Sequence, residues 1–211
     1  MFIQNFQRLY PSGYLDRLMK LLDQRLEPGA DKNCIDRRIW DLFGEEWAIM
    51  FTDLSGFSRL AAEFGIIHFL QTIYESQRLF SRCIDDYDGV TIKMEGDSML
   101  VLFRQPLKAV ECAIDMQRAA KEYNRDKIEV EQILLCVGLG YGKILSIGEQ
   151  DVFGAEVNAA SKLGEDTAKA WEILVTESLA EYIRGRENVA LQKIDFIPPG
   201  AKAAYQLIYE R

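Results

Sequence analysis

The feature that most constrains the fold of this chain is a pair of strand-like runs joined by a tight turn. The runs are VTIKM, beginning at Val90, and SMLVLF, ending at Phe103, and Gly96 and Asp97 lie between them. Glycine and aspartate suit the backbone of a short turn, and flanking runs of this kind predict an antiparallel β-hairpin. The other elements must therefore be arranged around this pair of strands.

The segments on either side of the hairpin alternate between strand and helix patterns. The apolar run AIMF, followed shortly by Asp53, predicts a buried strand, and a helix with an apolar face follows it. Pro106 suits the first turn of the next helix, and ILLCVGLGYGKILSI is again strand-like. The order β-α-β-β-α-β predicts an α+β fold with a ferredoxin-like core. Further additions are a helix from about Ala155, a strand at EILVT, a helix at SLAEYI and terminal strands at 189–194 and 203–208.

Length and composition predict one substantial domain with an extension. The chain has 211 residues, 48% of them hydrophobic, which is enough for a single core. Residues 1–45 are rich in charge and interrupted by Pro11 and Pro28, so we expect short helices separated by turns, followed by the main domain at 46–211. No apolar run approaches the roughly 18 residues of a membrane span, and the first residues lack the pattern of a signal peptide. The expectation is a cytoplasmic protein without a membrane span.

Charge and residue usage remove several functional classes. The net charge of −8 and the absence of a basic stripe argue against a nucleic-acid partner, but a nucleotide needs only a local metal ion or helix end. The single histidine, His68, lies in an amphipathic helical pattern, where a packing or surface role is favoured over a Ser/His/Asp site. The four cysteines have no CxxC spacing, and we expect buried free thiols; they are Cys34, Cys83, Cys112 and Cys136.

Two aspartates could meet at one point despite their separation in sequence. Asp53 follows the first predicted strand, and Asp97 lies in the turn of a hairpin that can pair beside it. Two converging carboxylates suit hard divalent cations. After Asp53, the backbone amides of Gly56 and Phe57 lie where a helix is expected to open and could hold a phosphate. Taken singly, however, Asp53 could be a helix cap and Asp97 an ordinary turn residue.

The joint pattern of three segments resembles a known family. FTDLSGF at 51–57, KMEGD at 93–97 and DVFGAEVNAASKL at 151–163 are similar, in order and spacing, to the signature segments of class III adenylate and guanylate cyclases. The resemblance covers roughly residues 46–183. It implies that Asp53 and Asp97 bind two Mg²⁺ or Mn²⁺ ions per active site, with the carbonyl of Leu54 as a further ligand.

The resemblance also implies how the substrate is recognised. Lys93 and Asp151 match the pair that reads adenine in adenylate cyclases, so ATP is the expected substrate and cyclic AMP the expected product. A lysine can donate to N1 of adenine and an aspartate can accept from its amino group, whereas guanine presents the opposite pattern. Asn158 matches the asparagine that orients the ribose.

One position departs from the family, and another is ambiguous. Lys162 stands where the family has an arginine that stabilises charge on the phosphate, and lysine lacks the planar fork of arginine. Lys193 and Lys202 are both candidates for the late lysine that contacts the triphosphate. The resemblance further implies a head-to-tail homodimer with two composite sites. Two alternatives remain: a weak or inactive nucleotide-binding regulatory module, or a cyclase acting on GTP or a pyrimidine triphosphate.

Overall fold

The computed structural model describes residues 13–56, 65–148, 151–186 and 189–209. Its helices are α1 (Tyr14–Leu26), α2 (Lys32–Phe43), α3 (Ile66–Asp86), α4 (Pro106–Asn124), α5 (Ala155–Gly164) and α6 (Glu177–Ile183), with a 3-10 turn at Glu129–Glu131. Its strands are β1 (Gly44–Leu54), β2 (Val90–Glu95), β3 (Ser98–Phe103), β4 (Leu135–Ser146), β5 (Val152–Phe153), β6 (Ile173–Thr176), β7 (Ala190–Lys193) and β8 (Ala204–Ile208).

All of these strands belong to one mixed sheet with the order β2-β3-β1-β4-β6-β8-β7, in which β5 pairs with β4. The strands β4 and β6 are parallel, and the other paired strands are antiparallel. The first four strands, with α3 and α4 between them, have the antiparallel order of a ferredoxin-like core. The predicted α+β fold and the hairpin at Gly96 and Asp97 are therefore confirmed.

Helices cover both faces of the sheet. Met50 and Val101 belong to the larger core, which also contains residues of α3, α4 and α6. Ile49 and Leu102 belong to a second cluster, which contains residues of α5. Because consecutive residues of β1 are buried on opposite faces, this strand has a continuous apolar run rather than an alternating pattern.

The helices α1 and α2 form where the sequence predicts short helices separated by a turn. They pack on each other and on the end of β4 through a small cluster that includes Leu21, Phe43 and Ile147. The Asp31 side chain caps α2 by accepting a hydrogen bond from the backbone of Cys34 at 3.0 Å. Within the described part of the chain, the two helices thus share a contact with the sheet and have only this small cluster as a core of their own.

The cysteine prediction is correct in part. All four cysteines are free, and Cys112 and Cys136 are buried. Cys83 is partly buried, but Cys34 is exposed, because it lies in the first turn of α2 on the side away from the core. Among the described helices, none combines the length and the apolar character that crossing a bilayer requires.

Candidate active site

Strand pairing brings the two candidate metal ligands together. Asp53 is the penultimate residue of β1, and Asp97 lies in the turn between β2 and β3. Because β1 pairs with β3 up to Thr52 opposite Met99, the hairpin turn lies beside the end of β1. The Ser98 hydroxyl, next to Asp97, donates a hydrogen bond to Oδ1 of Asp53 at 3.3 Å. Two aspartates 44 positions apart in the numbering therefore share one corner of the sheet.

The electrostatics of this corner show an excess of negative charge. Burial, and then the charge of Asp97, raise the pKa of Asp53 to about 7. Burial also raises the pKa of Asp97. The backbone of Leu54 forms hydrogen bonds with both carboxyls, which offset part of this effect. A cation bound between the carboxylates would remove the repulsion that raises the pKa of Asp53.

The two carboxylates of Asp53 and Asp97 suit a divalent ion whose remaining ligands come from a bound nucleotide. Among the described residues, no group of three or more His, Cys, Asp and Glu side chains is placed to hold a metal ion. Mg²⁺ commonly uses one or two carboxylates and completes its shell with water and substrate phosphates. The pair formed by Asp53 and Asp97 therefore suits an ion that arrives with a triphosphate better than a permanent structural ion.

The turn after β1 is described only in part. Leu54 is the last residue of the strand, and its side chain is buried. Gly56 has a φ of +82°, a conformation that favours glycine and lets the chain turn away from the sheet. Phe57 lies outside the described residues, as do 58–64. The predicted phosphate contact at Gly56 and Phe57 stays a prediction.

The candidate base-reading residues form an ion pair. Lys93 is on β2 and Asp151 directly precedes β5, and Nζ of Lys93 lies 2.7 Å from Oδ2 of Asp151. The hydrogen bond from Lys93 to Asp151 raises the pKa of the lysine. The backbone amide of Val152 donates to the other oxygen of Asp151 at 2.8 Å, which fixes the carboxylate. The two residues that the sequence assigned to one base are thus in contact.

This ion pair lines a cavity that adjoins the carboxylate corner. The cavity has a volume of about 290 Å³ and includes Ser98 in its lining. Ser98 also donates to Asp53, so it links the cavity to the candidate metal site. The lining further includes Glu95 and Glu165, to which the sequence gave no role. The sequence could have indicated Glu95 as a lining residue, because it lies two positions after Lys93 on β2 and alternate residues of a strand share one face.

Asn158 and Lys162 lie on the helix α5, close to the cavity but outside its lining, which includes their neighbours Val157 and Glu165. Both are exposed on α5, four residues and hence about one helical turn apart. The Asn158 amide donates to the carbonyl of Pro199 at 3.5 Å, and the Lys162 ammonium pairs with Asp166. Neither residue lines the cavity that holds Lys93 and Asp151. One chain therefore pairs the candidate metal ligands and the base-reading residues but does not bring Asn158 and Lys162 to them.

The two candidate late lysines differ in their surroundings. Lys193 is exposed at the end of β7, and its backbone lies opposite Tyr205 in the pairing of β7 with β8. Lys202 is exposed in the loop before β8, and this loop contacts α5 through Pro199 and Gly200. A side chain at Gly200 would lie 3.1 Å from the side chain of Ala155, at the start of α5. The loop that carries Lys202 is therefore the one next to Asn158.

The motifs, the fold and the site together define a class of protein, and comparison with known families gives the same class. The family of adenylate and guanylate cyclase catalytic domains matches residues 44–207, which is most of the chain. The chain belongs to this family. The class III cyclase resemblance read from the three motifs is thereby confirmed.

Individual relatives agree with this assignment. The protein named "Putative adenylate cyclase 3" of Rhizobium meliloti (strain 1021) is 31% identical over 153 residues, which are 72% of this chain and 25% of that protein. The chain thus corresponds in length to a quarter of that relative. The crystal structure of an adenylate/guanylate cyclase/hydrolase from Silicibacter pomeroyi matches with a TM-score of 0.65 and 24% identity, over 80% of this chain and 99% of that one. The adenylyl cyclase CyaB from P. aeruginosa matches with a TM-score of 0.65 and 20% identity, over 80% and 96%. The two structural matches show a common fold.

Proposed function

We propose that this chain is an adenylate cyclase domain that converts ATP into 3′,5′-cyclic AMP and pyrophosphate. The observation that carries the proposal is the contact between Lys93 and Asp151 in a cavity next to the carboxylate pair. Lys93 is an ammonium donor suited to N1 of adenine, and Asp151 is an acceptor suited to the 6-amino group. Guanine has a donor at N1 and an oxygen at position 6, so this pair disfavours it.

The carboxylate pair is the proposed metal site. Asp53 and Asp97, with the carbonyl of Leu54, would hold two Mg²⁺ or Mn²⁺ ions. Bound ions would supply charge neutralisation of the triphosphate and a more acidic 3′-hydroxyl. The raised pKa of Asp53 supports this assignment, because it reflects burial of the carboxyl and then the nearby charge of Asp97, which a cation would compensate.

In the proposed reaction, the ribose 3′-oxygen forms a bond to the α-phosphorus and loses its proton to the solvent. The bond from the α-phosphorus to the bridging oxygen breaks, and pyrophosphate leaves. Asn158 would hold the ribose in the orientation for this in-line attack, and Lys162 would stabilise charge on the phosphate oxygens. Lys202 is the better candidate for the triphosphate tail, since its loop contacts α5 beside Asn158.

We propose that the complete site forms between two copies of the chain in a head-to-tail homodimer. The exposed position of Asn158 and Lys162, outside the cavity of their own chain, supports this arrangement. In such a dimer, Asp53 and Asp97 of one copy would face residues of the other copy, giving two composite sites. These are the base-reading residues Lys93 and Asp151, together with Asn158 and Lys162. Three expectations remain predictions. They are a cytoplasmic location, the boundary between an extension at 1–45 and a main domain at 46–211, and the absence of a nucleic-acid partner.

The proposal is tested with purified protein, Mn²⁺ and each of ATP, GTP, CTP and UTP, with chromatographic detection of cyclic products. Cyclic AMP as the main product supports it, and a cyclic product from another nucleotide alone contradicts the assignment of Lys93 and Asp151. Sharing of sites is tested by mixing Asp53→Ala, which we expect to be inactive, with Asn158→Ala, which we expect to keep only a small residual activity. Activity recovered in the mixture requires one intact composite site per heterodimer. No recovery places each site within one chain.

A second candidate function is nucleotide binding without turnover, in a regulatory role. The observation in its favour is that Lys162, already a departure from the family's arginine, is engaged by Asp166. An exposed ion pair of this kind contributes little, so a phosphate can displace it. If none of the four triphosphates gives a product while ATP still raises the thermal stability, this second function replaces the first.

A further inference from the structure

The helix α5, which carries Asn158, lies unusually close to strand β4. The strand contains Gly138, Gly140 and Gly142 at alternate positions, so all three face the helix. A Cβ atom added to Gly138 would lie 2.2 Å from the carbonyl oxygen of Ala160. One added to Gly140 would lie 3.0 Å from the carbonyl oxygen of Glu156. Because these three residues of β4 have no side chains, the helix packs directly on the backbone of the strand.

The side chain of Glu156 occupies the narrow space above two of these glycines. Its Oε2 atom accepts hydrogen bonds from the hydroxyl of Thr176 at 2.7 Å and from the backbone amide of Tyr141 at 3.3 Å. Its Oε1 atom accepts from the hydroxyl of Ser178 at 2.9 Å. One carboxylate therefore ties the first turn of α5 to β4 and to the junction of β6 and α6.

These hydrogen bonds constrain the helix in a way that its apolar contacts do not. The buried face of α5 holds the helix against the sheet through Val157, Ala160 and Leu163. Apolar contact is not directional, so it resists separation more strongly than rotation. The three hydrogen bonds of Glu156 have defined distances and angles, and they fix the rotation of the first turn.

We propose that Glu156 is a positioning residue for the cyclase reaction and acts through Asn158; this inference rests on the proposed function. The two residues are two positions apart, so Asn158 projects about 200° around the helix from Glu156, away from the sheet. A rotation of about 5° would move a side-chain atom some 5–6 Å from the helix axis by about 0.5 Å. Misplacement of about 1 Å can lower a reaction rate about 100-fold.

The variant that tests the proposal is Glu156→Gln, which keeps the side-chain size but loses the charge and one acceptor atom. We expect kcat to fall about 10-fold while the KM for ATP changes less than about 2-fold, because the ribose contact matters most in the transition state. Glu181→Gln, on the exposed side of α6, is the matched control and should leave both constants unchanged. The midpoint of urea unfolding should shift little in either variant.

A double-mutant cycle separates positioning from a general structural role. In an Asn158→Ala background, Glu156→Gln should lower the residual kcat less than 2-fold, since the residue through which it acts is absent. The full 10-fold loss in that background overturns the proposal. If Glu156→Gln does not fold, Ser178→Ala removes one of the three hydrogen bonds at an exposed hydroxyl and should give a loss of about 3-fold with the same dependence on Asn158.

The outcomes also distinguish the two levels of inference. A wild-type protein without cyclase activity contradicts the proposed function and removes the basis for this one. If the wild type is active and both Glu156→Gln and Ser178→Ala have the same kcat as the wild type, the positioning role is overturned while the proposed function stands.

Discussion

The substitution Asp53→Asn is expected to stabilise the metal-free protein while it abolishes cyclase activity. Burial, and then the charge of Asp97, raise the pKa of Asp53 from 3.8 to about 7. At about 1.36 kcal/mol per pKa unit, this shift corresponds to about 4 kcal/mol. The carboxyl is only half-buried, so screening by solvent reduces the expected effect to about 2 kcal/mol. Asparagine has a similar shape without the charge, and it should recover this free energy.

The sign of the effect depends on pH. Because the folded-state pKa of Asp53 lies above its unfolded value, folding favours the protonated form. The cost of the charge is absent below the unfolded pKa of 3.8, grows as the pH rises, and is complete above about 7. The gain in unfolding free energy from Asp53→Asn should therefore be close to zero near pH 4 and about 2 kcal/mol at pH 8.

The assay is urea unfolding in EDTA at pH 4 and pH 8, followed by tryptophan fluorescence. Asp195→Asn, at an exposed position, is the control and should change stability equally little at both pH values. Mn²⁺ should then stabilise the wild-type protein and have little effect on Asp53→Asn. A variant that is less stable than the wild type at pH 8, or that gains the same amount at both pH values, would refute the reasoning.

Four further substitutions test other parts of the site and fold. Lys162→Arg should maintain or raise kcat by up to about 10-fold, because arginine can contact two phosphate oxygens; complete loss of activity would show that Lys162 is misplaced. Lys93→Gln should lower kcat/KM for ATP at least about 10-fold and change that for GTP less, as product formation from each nucleotide will show. Gly138→Ala should lower the unfolding free energy by about 1–3 kcal/mol in urea titrations, since its Cβ would overlap the carbonyl of Ala160. Gly13→Ala, with open space around it, is the control and should not. Gly142→Ala should lower kcat as Glu156→Gln does, because its Cβ would lie 2.9 Å from Cγ of the glutamate.

Local pattern was sufficient to predict most of the elements. Gly96 predicts the hairpin turn because glycine takes a backbone conformation that other residues adopt only with strain, and it indeed has a φ of +61°. Pro106 begins α4 as expected, since its missing N–H costs nothing in the first turn. The strand β1 is longer than the run AIMF, beginning at Gly44, because pairing with β4 extends it through residues that are not apolar.

The sequence by itself determined which residues are candidates for the site, because the three motifs preserve the order and spacing of a cyclase family. It also indicated that Asp53 and Asp97 could meet, since a hairpin beside the first strand places both at one edge. Tertiary structure decided what a linear pattern does not contain: the raised pKa of Asp53, which needs burial and a neighbouring charge, and the ion pair of Lys93 with Asp151. It also revealed Glu156, whose three hydrogen-bond donors come from β4, from the end of β6 and from the start of α6. Such contacts depend on the position and rotation of the helix relative to the sheet. These are fixed only when segments that are distant in the sequence pack together.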